Sequence, residues 1–226
     1  MKTKTKLFIC FLSTVLFIAW IIIVKTVDVG NVGPRGSSVG LSLINSSFHD
    51  LWHYDDCGYN KLWYSISKYI GYFGFAVVGC IGLFGLMQLI KRKSLKKVDK
   101  CILAVGGLYA VTVLFYVIFE LVIVNYRPII MPGKSELEAS FPSSHTLMIM
   151  VIFISVMLLL KHYMNNSKLK LLMQFVCLII IIAGVLGRVI CGVHWFSDII
   201  GGMLLASALL AGFAVFNQKS FDNEKK

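Results

Sequence analysis

Arg188, His194 and Asp198 interrupt an otherwise apolar stretch with a spacing that suits phosphoryl chemistry. If Asp198 opens a helix, His194 lies about one turn before it, so the carboxylate can accept a hydrogen bond from one ring nitrogen. The other ring nitrogen is then free to attack phosphorus, and an arginine fork matches the geometry of phosphoryl oxygens. A buried His–Asp pair beside a basic residue at a membrane surface is the alternative that this stretch alone leaves open.

A second polar group, Pro-Ser-Ser-His, stands at residues 142–145 just before another apolar run. Proline near the first helical position leaves the next backbone amides pointing outward, and such a helix amino terminus binds anions. We therefore expect phosphate near Ser143, Ser144 and His145. An ordinary capped helix start explains the motif equally well when it is taken by itself.

A third group ends the apolar run that precedes this motif. Pro128 terminates the run, directly after Arg127. Glu120 lies seven residues before Arg127, which predicts that the two side chains are two helical turns apart on one helix face.

The elements that must position these residues are apolar helices. The chain has 226 residues, of which 58% are hydrophobic and only 15% charged, a composition typical of an integral membrane protein. We predict an all-α, polytopic membrane protein with six transmembrane helices in a single membrane-embedded domain, residues 1–226. The predicted spans are Leu7–Val24, Ile66–Ile90, Cys101–Val124, Ser143–Leu160, Leu171–Gly187 and Ser197–Phe216.

Between the first two spans, residues 41–64 carry an apolar stripe with Trp and Tyr, which predicts an interfacial helix. His49 and His53 are four residues apart, but they lack further ligands nearby, so surface histidines are favoured over a metal site. Among the six cysteines, Cys57 and Cys191 are predicted to face outward, where a disulfide is permitted, but the sequence does not determine whether they pair.

The basic residues predict the orientation. Fifteen of the 22 Lys and Arg residues fall in the amino terminus, residues 91–100, residues 161–170 and the carboxyl-terminal tail, all on one side of a six-span topology. By the positive-inside rule both termini are cytoplasmic, and the three motifs lie on the extracytoplasmic side of the cytoplasmic membrane. The net charge of +11 reflects this topology and gives no case for nucleic-acid binding.

From Glu120 to Asp198 the chain resembles the type 2 phosphatidic acid phosphatase family. The signature of that family is Lys-x6-Arg-Pro, then Pro-Ser-Gly-His, then Ser-Arg-x5-His-x3-Asp. The resemblance implies an all-helical membrane phosphatase in which His194 is a nucleophile that forms a phosphohistidine, Asp198 orients it and His145 protonates the leaving oxygen. The residues implied to hold the phosphoryl oxygens, with no metal or cofactor required, are Arg127, Arg188, Ser143 and Ser144.

The sequence departs from the family pattern at three positions. Ser144 replaces a glycine and Gly187 replaces a serine, but the largest change is Glu120, which stands where the family has a phosphate-binding lysine. Because a carboxylate repels a phosphate dianion, we expect Glu120 to pair with Arg127 or Arg188 and hold that guanidinium in place. Lys134, in the outer loop, is then the candidate for the missing cation.

The expected function is removal of a terminal phosphate from a membrane lipid phosphate or diphosphate. By resemblance, the candidate substrates are phosphatidic acid, phosphatidylglycerol phosphate and isoprenyl diphosphates such as the undecaprenyl carrier. The alternatives are phosphotransfer from a lipid diphosphate to another lipid, or a non-catalytic lipid-binding protein with the same fold.

Overall fold

The computed structural model describes residues 3–52, 54 and 58–216. His53, Cys57, Lys2 and the basic tail, which entered the sequence predictions, lie outside the described residues. The α-helices among the described residues are α1 (Thr3–Thr26), α2 (Ser42–Asp50), α3 (Lys61–Arg92), α4 (Lys100–Leu121), α5 (Ser144–Tyr163), α6 (Ser167–Ile190) and α7 (Phe196–Phe216), with short 3-10 turns at Pro34–Gly36 and Leu95–Lys97.

Within the described part of the chain, six helices are long and apolar enough to cross a membrane, all except α2. This confirms the predicted all-α polytopic architecture. The helix ends differ from the prediction at two places that matter here. The second span begins at Lys61 rather than near Ile66, and the third ends at Leu121, so Arg127 lies beyond the helix that carries Glu120.

Helices α5 and α7 form the centre of the bundle. In each of these two helices, 44% of an 18-residue apolar stretch is buried inside the protein. The corresponding share is 11–22% in the other four spans, whose apolar side chains mostly face outward. Gly202 on α7 allows the start of α5 to approach closely, because a Cβ at this position would lie 2.8 Å from the Ser143 carbonyl oxygen. The polar segments at the ends of α5 and α7 are therefore brought together by the core itself.

The segment predicted to form an interfacial helix does contain a helix, but this helix is much shorter than residues 41–64. Helix α2 ends at Asp50, and α3 begins at Lys61, where the Asn60 side chain accepts a hydrogen bond from the Trp63 amide as an N-cap. The fully buried Asn45 attaches α2 to the start of α7. Its Oδ1 accepts a hydrogen bond from the Ser197 amide at 3.0 Å, and its Nδ2 lies 2.9 Å from the Ser197 hydroxyl.

A compact polar network, the Asp99 cluster, joins α3, α4 and α5 at the end of the bundle that carries residues 91–100 and 161–170. Asp99 accepts hydrogen bonds from Arg92 at 2.6 Å, Gln88 at 2.6 Å and Tyr163 at 2.7 Å. The Asp99 amide in turn donates to Gln88 Oε1 at 2.9 Å. Every charge in this cluster has an oppositely charged or hydrogen-bonding partner.

Candidate active site

Two extended segments, residues 125–127 and 138–140, pair with each other after α4 and before α5. We call this pairing the loop clamp. The Arg127 amide donates to the Glu138 carbonyl at 3.1 Å, and the Ser140 amide donates to the Asn125 carbonyl at 3.0 Å. The clamp closes the loop of residues 128–137, and it places Arg127 beside the segment that leads into α5.

His194 is buried, with 4% of its surface exposed, in the short connection between α6 and α7. Its Nδ1 lies 3.1 Å from the carbonyl oxygen of Ser140, and because a carbonyl only accepts, Nδ1 is the donor. In the neutral ring this leaves the lone pair on Nε2, which lies 3.3 Å from an Arg127 terminal nitrogen. The loop clamp therefore fixes the tautomer that a nucleophilic Nε2 requires.

Asp198 does not make the hydrogen bond to His194 that the sequence predicted. Its Oδ2 is 3.9 Å from His194 Nδ1, and it accepts instead from the Trp195 amide at 3.0 Å, while Oδ1 accepts from Asn125 Nδ2 at 3.1 Å. Asp198 is the third residue of α7, and its side chain reaches back to the backbone amide of Trp195, the residue just before the helix. That amide competes with the imidazole for the same carboxylate oxygen. Asp198 is thus a fully buried negative charge close to His194 that stabilises the start of α7 directly.

Arg127 is held by Glu138, not by Glu120. Its Nε lies 3.2 Å from Glu138 Oε2, without the alignment of a hydrogen bond, and a terminal nitrogen donates to the Val193 carbonyl at 3.2 Å. Lys134 lies 3.4 Å from the other oxygen of Glu138. The prediction that Glu120 pairs with an arginine is wrong, because α4 ends before Arg127 and the loop clamp brings Glu138 to that side chain instead.

Arg188, near the end of α6, is 1% exposed and has no carboxylate partner within 4.0 Å among the described residues. One terminal nitrogen donates to the Ser67 hydroxyl at 3.4 Å, and the guanidinium lies over the Tyr64 ring, 5.7 Å from its centroid. Its Nε has no hydrogen-bond partner in the described part of the chain. A buried cation left in this state is costly unless an anion binds beside it.

The start of α5 offers free amides, as the Pro-Ser-Ser-His motif predicted, but its two serines differ. Ser143 is fully buried, donates its amide to the Asp198 carbonyl at 2.9 Å and accepts from the Thr146 hydroxyl at 3.1 Å. No side chain caps the helix, so the amides of its first turn have no partner within the helix. Ser144, which lines the pocket next to His194, is the better placed of the two serines to reach a phosphate.

Two neighbouring pockets meet at this helix start. A narrow pocket with about 10 Å³ of free volume, room for about one water, has His194, Arg127 and Ser144 on its wall, with Glu120 also exposed to it. A larger, mainly apolar pocket of about 250 Å³ contains His145 between α3 and α5. Ser144 and Tyr116 line both pockets, so the two are adjacent.

Burial lowers the pKa of His194 well below its ordinary value, and the nearby charges of Arg127 and Arg188 act in the same direction. The ring is therefore neutral at neutral pH, which keeps the Nε2 lone pair available. A neutral nitrogen surrounded by guanidinium groups and free amides is suited to attack an anionic phosphoryl group.

The sequence model of the PAP2 superfamily matches residues 102–222, more than half of the chain and all three polar motifs. The chain belongs to the PAP2 superfamily. The crystal structure of the first transmembrane PAP2 type phosphatidylglycerolphosphate phosphatase from Bacillus subtilis superposes with a TM-score of 0.64 at 19% identity, covering 93% of this chain and 96% of that one. At this identity the likeness establishes a shared fold. No curated protein sequence matches the chain.

This PAP2 protein also carries functional residues that sequence reasoning missed. Asn125 and Ser140 hold Asp198 and His194, Glu138 holds Arg127, and Ser67 contacts Arg188. Ser140 acts through its backbone carbonyl, so its residue type carries no signal. Glu138 lies in a loop of mixed charge, and no periodicity marks it. Ser67 is a polar residue in an apolar span, and this was the one feature of the sequence that could have indicated a contact with the site.

Proposed function

We propose that this PAP2 protein is a phosphatase of membrane lipid phosphates or diphosphates that acts through a phosphohistidine on His194. The observation that carries the proposal is the hydrogen bond from His194 Nδ1 to the Ser140 carbonyl, because it puts the lone pair on Nε2. That lone pair accepts from Arg127 at 3.3 Å, and it is released for attack when the guanidinium binds the phosphoryl oxygens instead. Superfamily membership and the fold shared with a phosphatidylglycerolphosphate phosphatase support the same reaction class.

In the proposed reaction Nε2 of His194 attacks phosphorus, and the bond from phosphorus to the lipid oxygen breaks. His145, in the protonated form, donates its proton to that oxygen. Water then attacks the phosphohistidine, gives a proton to His145 and releases inorganic phosphate together with the free imidazole. Arg127, Arg188 and the amides at the start of α5 stabilise the charge that spreads over the phosphoryl oxygens.

The two adjacent pockets support a lipid as the substrate. The narrow pocket is lined by His194 and Arg127, whose side chains suit a phosphoryl group once the pocket widens around it, whereas the neighbouring apolar pocket lies among membrane-spanning helices and suits the first part of a hydrocarbon chain. A soluble phosphate ester would leave the apolar pocket empty.

We further propose that the site faces away from the cytoplasm. His194, Arg127 and the start of α5 lie at the end of the bundle opposite the basic segments 91–100 and 161–170. A cysteine introduced by Ser135→Cys should react with an impermeant reagent on intact cells, whereas one introduced by Ser94→Cys should react only after lysis. The parent chain gives the background of its own cysteines, and the reversed pattern would refute this orientation.

The function is tested with purified protein in detergent and a panel of phosphatidic acid, phosphatidylglycerol phosphate and an isoprenyl diphosphate. We expect release of inorganic phosphate from at least one lipid. A reaction with labelled substrate, quenched in alkaline SDS, should also contain an alkali-stable, acid-labile phosphoprotein that His194→Ala lacks. Failure to release phosphate from any of the three lipids would contradict the proposal, and turnover by His194→Ala would contradict the nucleophile.

A further inference from the structure

Lys68 on α3 lies next to the proposed site, although neither the motifs nor the mechanism above include it. Its ammonium is 6.0 Å from the Tyr64 ring centroid and 5.7 Å from that of Tyr72. The Tyr64 ring also carries the Arg188 guanidinium, at 5.7 Å from the same centroid. One aromatic ring thus holds the buried arginine of the site and a second cation from a neighbouring turn.

The position of Lys68 relative to the proposed chemistry is set by His145. One turn further along α3, Gly71 leaves the helix in contact with the imidazole, since a Cβ there would lie 3.4 Å from His145 Cδ2. In the proposed reaction His145 serves the leaving oxygen, so Lys68, one turn from the contact between α3 and His145, lies near the leaving-group side.

An interfacial lysine beside tyrosines is commonly a membrane anchor, with its ammonium at the headgroup level. Two observations separate Lys68 from that role. Its helix contacts the His145 ring one turn later, at Gly71, and its ammonium shares the Tyr64 ring with the 1% exposed Arg188. Among the described residues its ammonium has Tyr64 and Tyr72 beside it and no carboxylate within 4.0 Å, so an anion that binds there displaces no ion pair of this part of the chain.

We propose that Lys68 binds a second phosphoryl group carried by the leaving group of the substrate. This inference rests on the proposed function and narrows its substrate class. Isoprenyl diphosphates leave as a monophosphate, and phosphatidylglycerol phosphate leaves with a phosphodiester, so both present an anion on the side of Lys68. Phosphatidic acid leaves as a neutral diacylglycerol and gives Lys68 nothing to bind. The protein therefore prefers lipids with two phosphoryl groups.

The test compares Lys68→Met, which removes the charge, with Lys68→Arg, which keeps it. Lys61→Met is the matched control, because Lys61 is an exposed lysine two turns earlier on the same helix. We expect Lys68→Met to lower kcat/KM by roughly 10-fold or more for the diphosphate, the scale of one charge-assisted contact, and to leave phosphatidic acid nearly unchanged. Lys68→Arg should restore most of the loss. A parallel loss with phosphatidylglycerol phosphate would extend the contact to phosphodiesters, and a loss confined to the diphosphate would restrict it to adjacent phosphoryl groups.

A binding measurement gives a readout that does not depend on turnover. Methylenediphosphonate, a non-hydrolysable diphosphate, should bind Lys68→Met roughly 10-fold more weakly than the parent protein, while inorganic phosphate binds both alike. An equal loss for phosphatidic acid, an equal loss in Lys61→Met, or unchanged methylenediphosphonate binding would overturn the role of Lys68. If none of the lipids releases phosphate the proposed function fails, but the methylenediphosphonate comparison still decides the inference.

Discussion

The two ends of the helical bundle treat charge in opposite ways. In the Asp99 cluster, Asp99 and Arg92 are paired at 2.6 Å and further hydrogen bonds complete the network. At the other end, Arg188 is buried with no carboxylate partner in the described part of the chain, and His194 is buried with a lowered pKa. The first arrangement stabilises the fold by itself, whereas the second leaves a buried positive charge that the proposed anionic substrate would balance. Substitutions at the two ends should therefore separate stability from activity.

The largest expected separation compares His194→Ala with Asp99→Asn. Loss of the nucleophile should lower kcat by at least about 10⁴-fold, because the reaction has no other route through the site, and leave the helical fold intact. Asp99→Asn should lower Tm by a few degrees, through loss of charge-assisted hydrogen bonds, and leave kcat within about twofold. Phosphate release in detergent measures kcat, and thermal unfolding in the same detergent measures Tm. Substantial turnover by His194→Ala would show that His194 is not the nucleophile and would contradict this prediction.

The next largest effect distinguishes the two arginines. Arg188→Met should lower kcat/KM by about 10²- to 10³-fold, since it removes a preplaced cation from the phosphoryl site. The same change should raise Tm, because it also removes an uncompensated buried charge. Arg92→Met should do the reverse, with activity kept and Tm lowered. A fall in Tm for Arg188→Met would show that its charge is already paired in the free protein.

A smaller effect is expected from the carboxylates around Arg127. Glu138→Gln should lower kcat/KM by about 10- to 100-fold, the scale of losing an interaction that positions a ligand-binding side chain. Glu120→Gln, an exposed carboxylate on the same pocket without an ion pair among the described residues, should change kcat/KM by less than about threefold. The opposite order would restore the orienting role that the sequence alone assigned to Glu120.

The smallest effect is a difference in pH dependence. The native pKa of His194 is lowered, so the unfolded chain takes up a proton there that the native protein refuses, and stability falls as the pH drops below about 6.5. Burial raises the pKa of Asp99, but hydrogen bonds from Arg92, Tyr163 and Gln88 outweigh it, and the net shift is downward. Asp99 therefore loses its stabilising effect only below about pH 4. Between pH 7.5 and 5.5, Tm should fall more for the parent protein than for His194→Asn, and equally for the parent and Asp99→Asn.

The sequence was sufficient for the architecture and for part of the candidate site. Apolar run length determines which segments span a membrane, and six spans followed from it directly. His194, Arg127 and Ser144 were found because their residue types are rare within apolar sequence, and they line one pocket in the structure.

The connections within the site were less predictable. Asp198 was expected to hold His194, but the Trp195 amide and Asn125 take its oxygens, and the orienting acceptor is a backbone carbonyl that any residue could supply. Glu120 was placed on a common helix face with Arg127 because the end of α4 could not be located from an apolar run. Such errors arise because hydrogen-bond partners depend on how two distant segments meet, which local spacing does not encode.

The loop clamp also makes the length of one loop independent of the chemistry beside it. Backbone hydrogen bonds hold Arg127 and Ser140 on either side, and the tip between them, residues 132–136, is exposed. Added residues there cost only the slowly growing entropy of a longer closed loop, about 0.6 kcal/mol for each doubling of its length. Between Pro132 and Gly133 the chain can therefore carry an inserted epitope, provided that two contacts on the carboxyl side of that point are kept, the Lys134–Glu138 ion pair and the hydrogen bond from Arg35 to the Ser135 carbonyl.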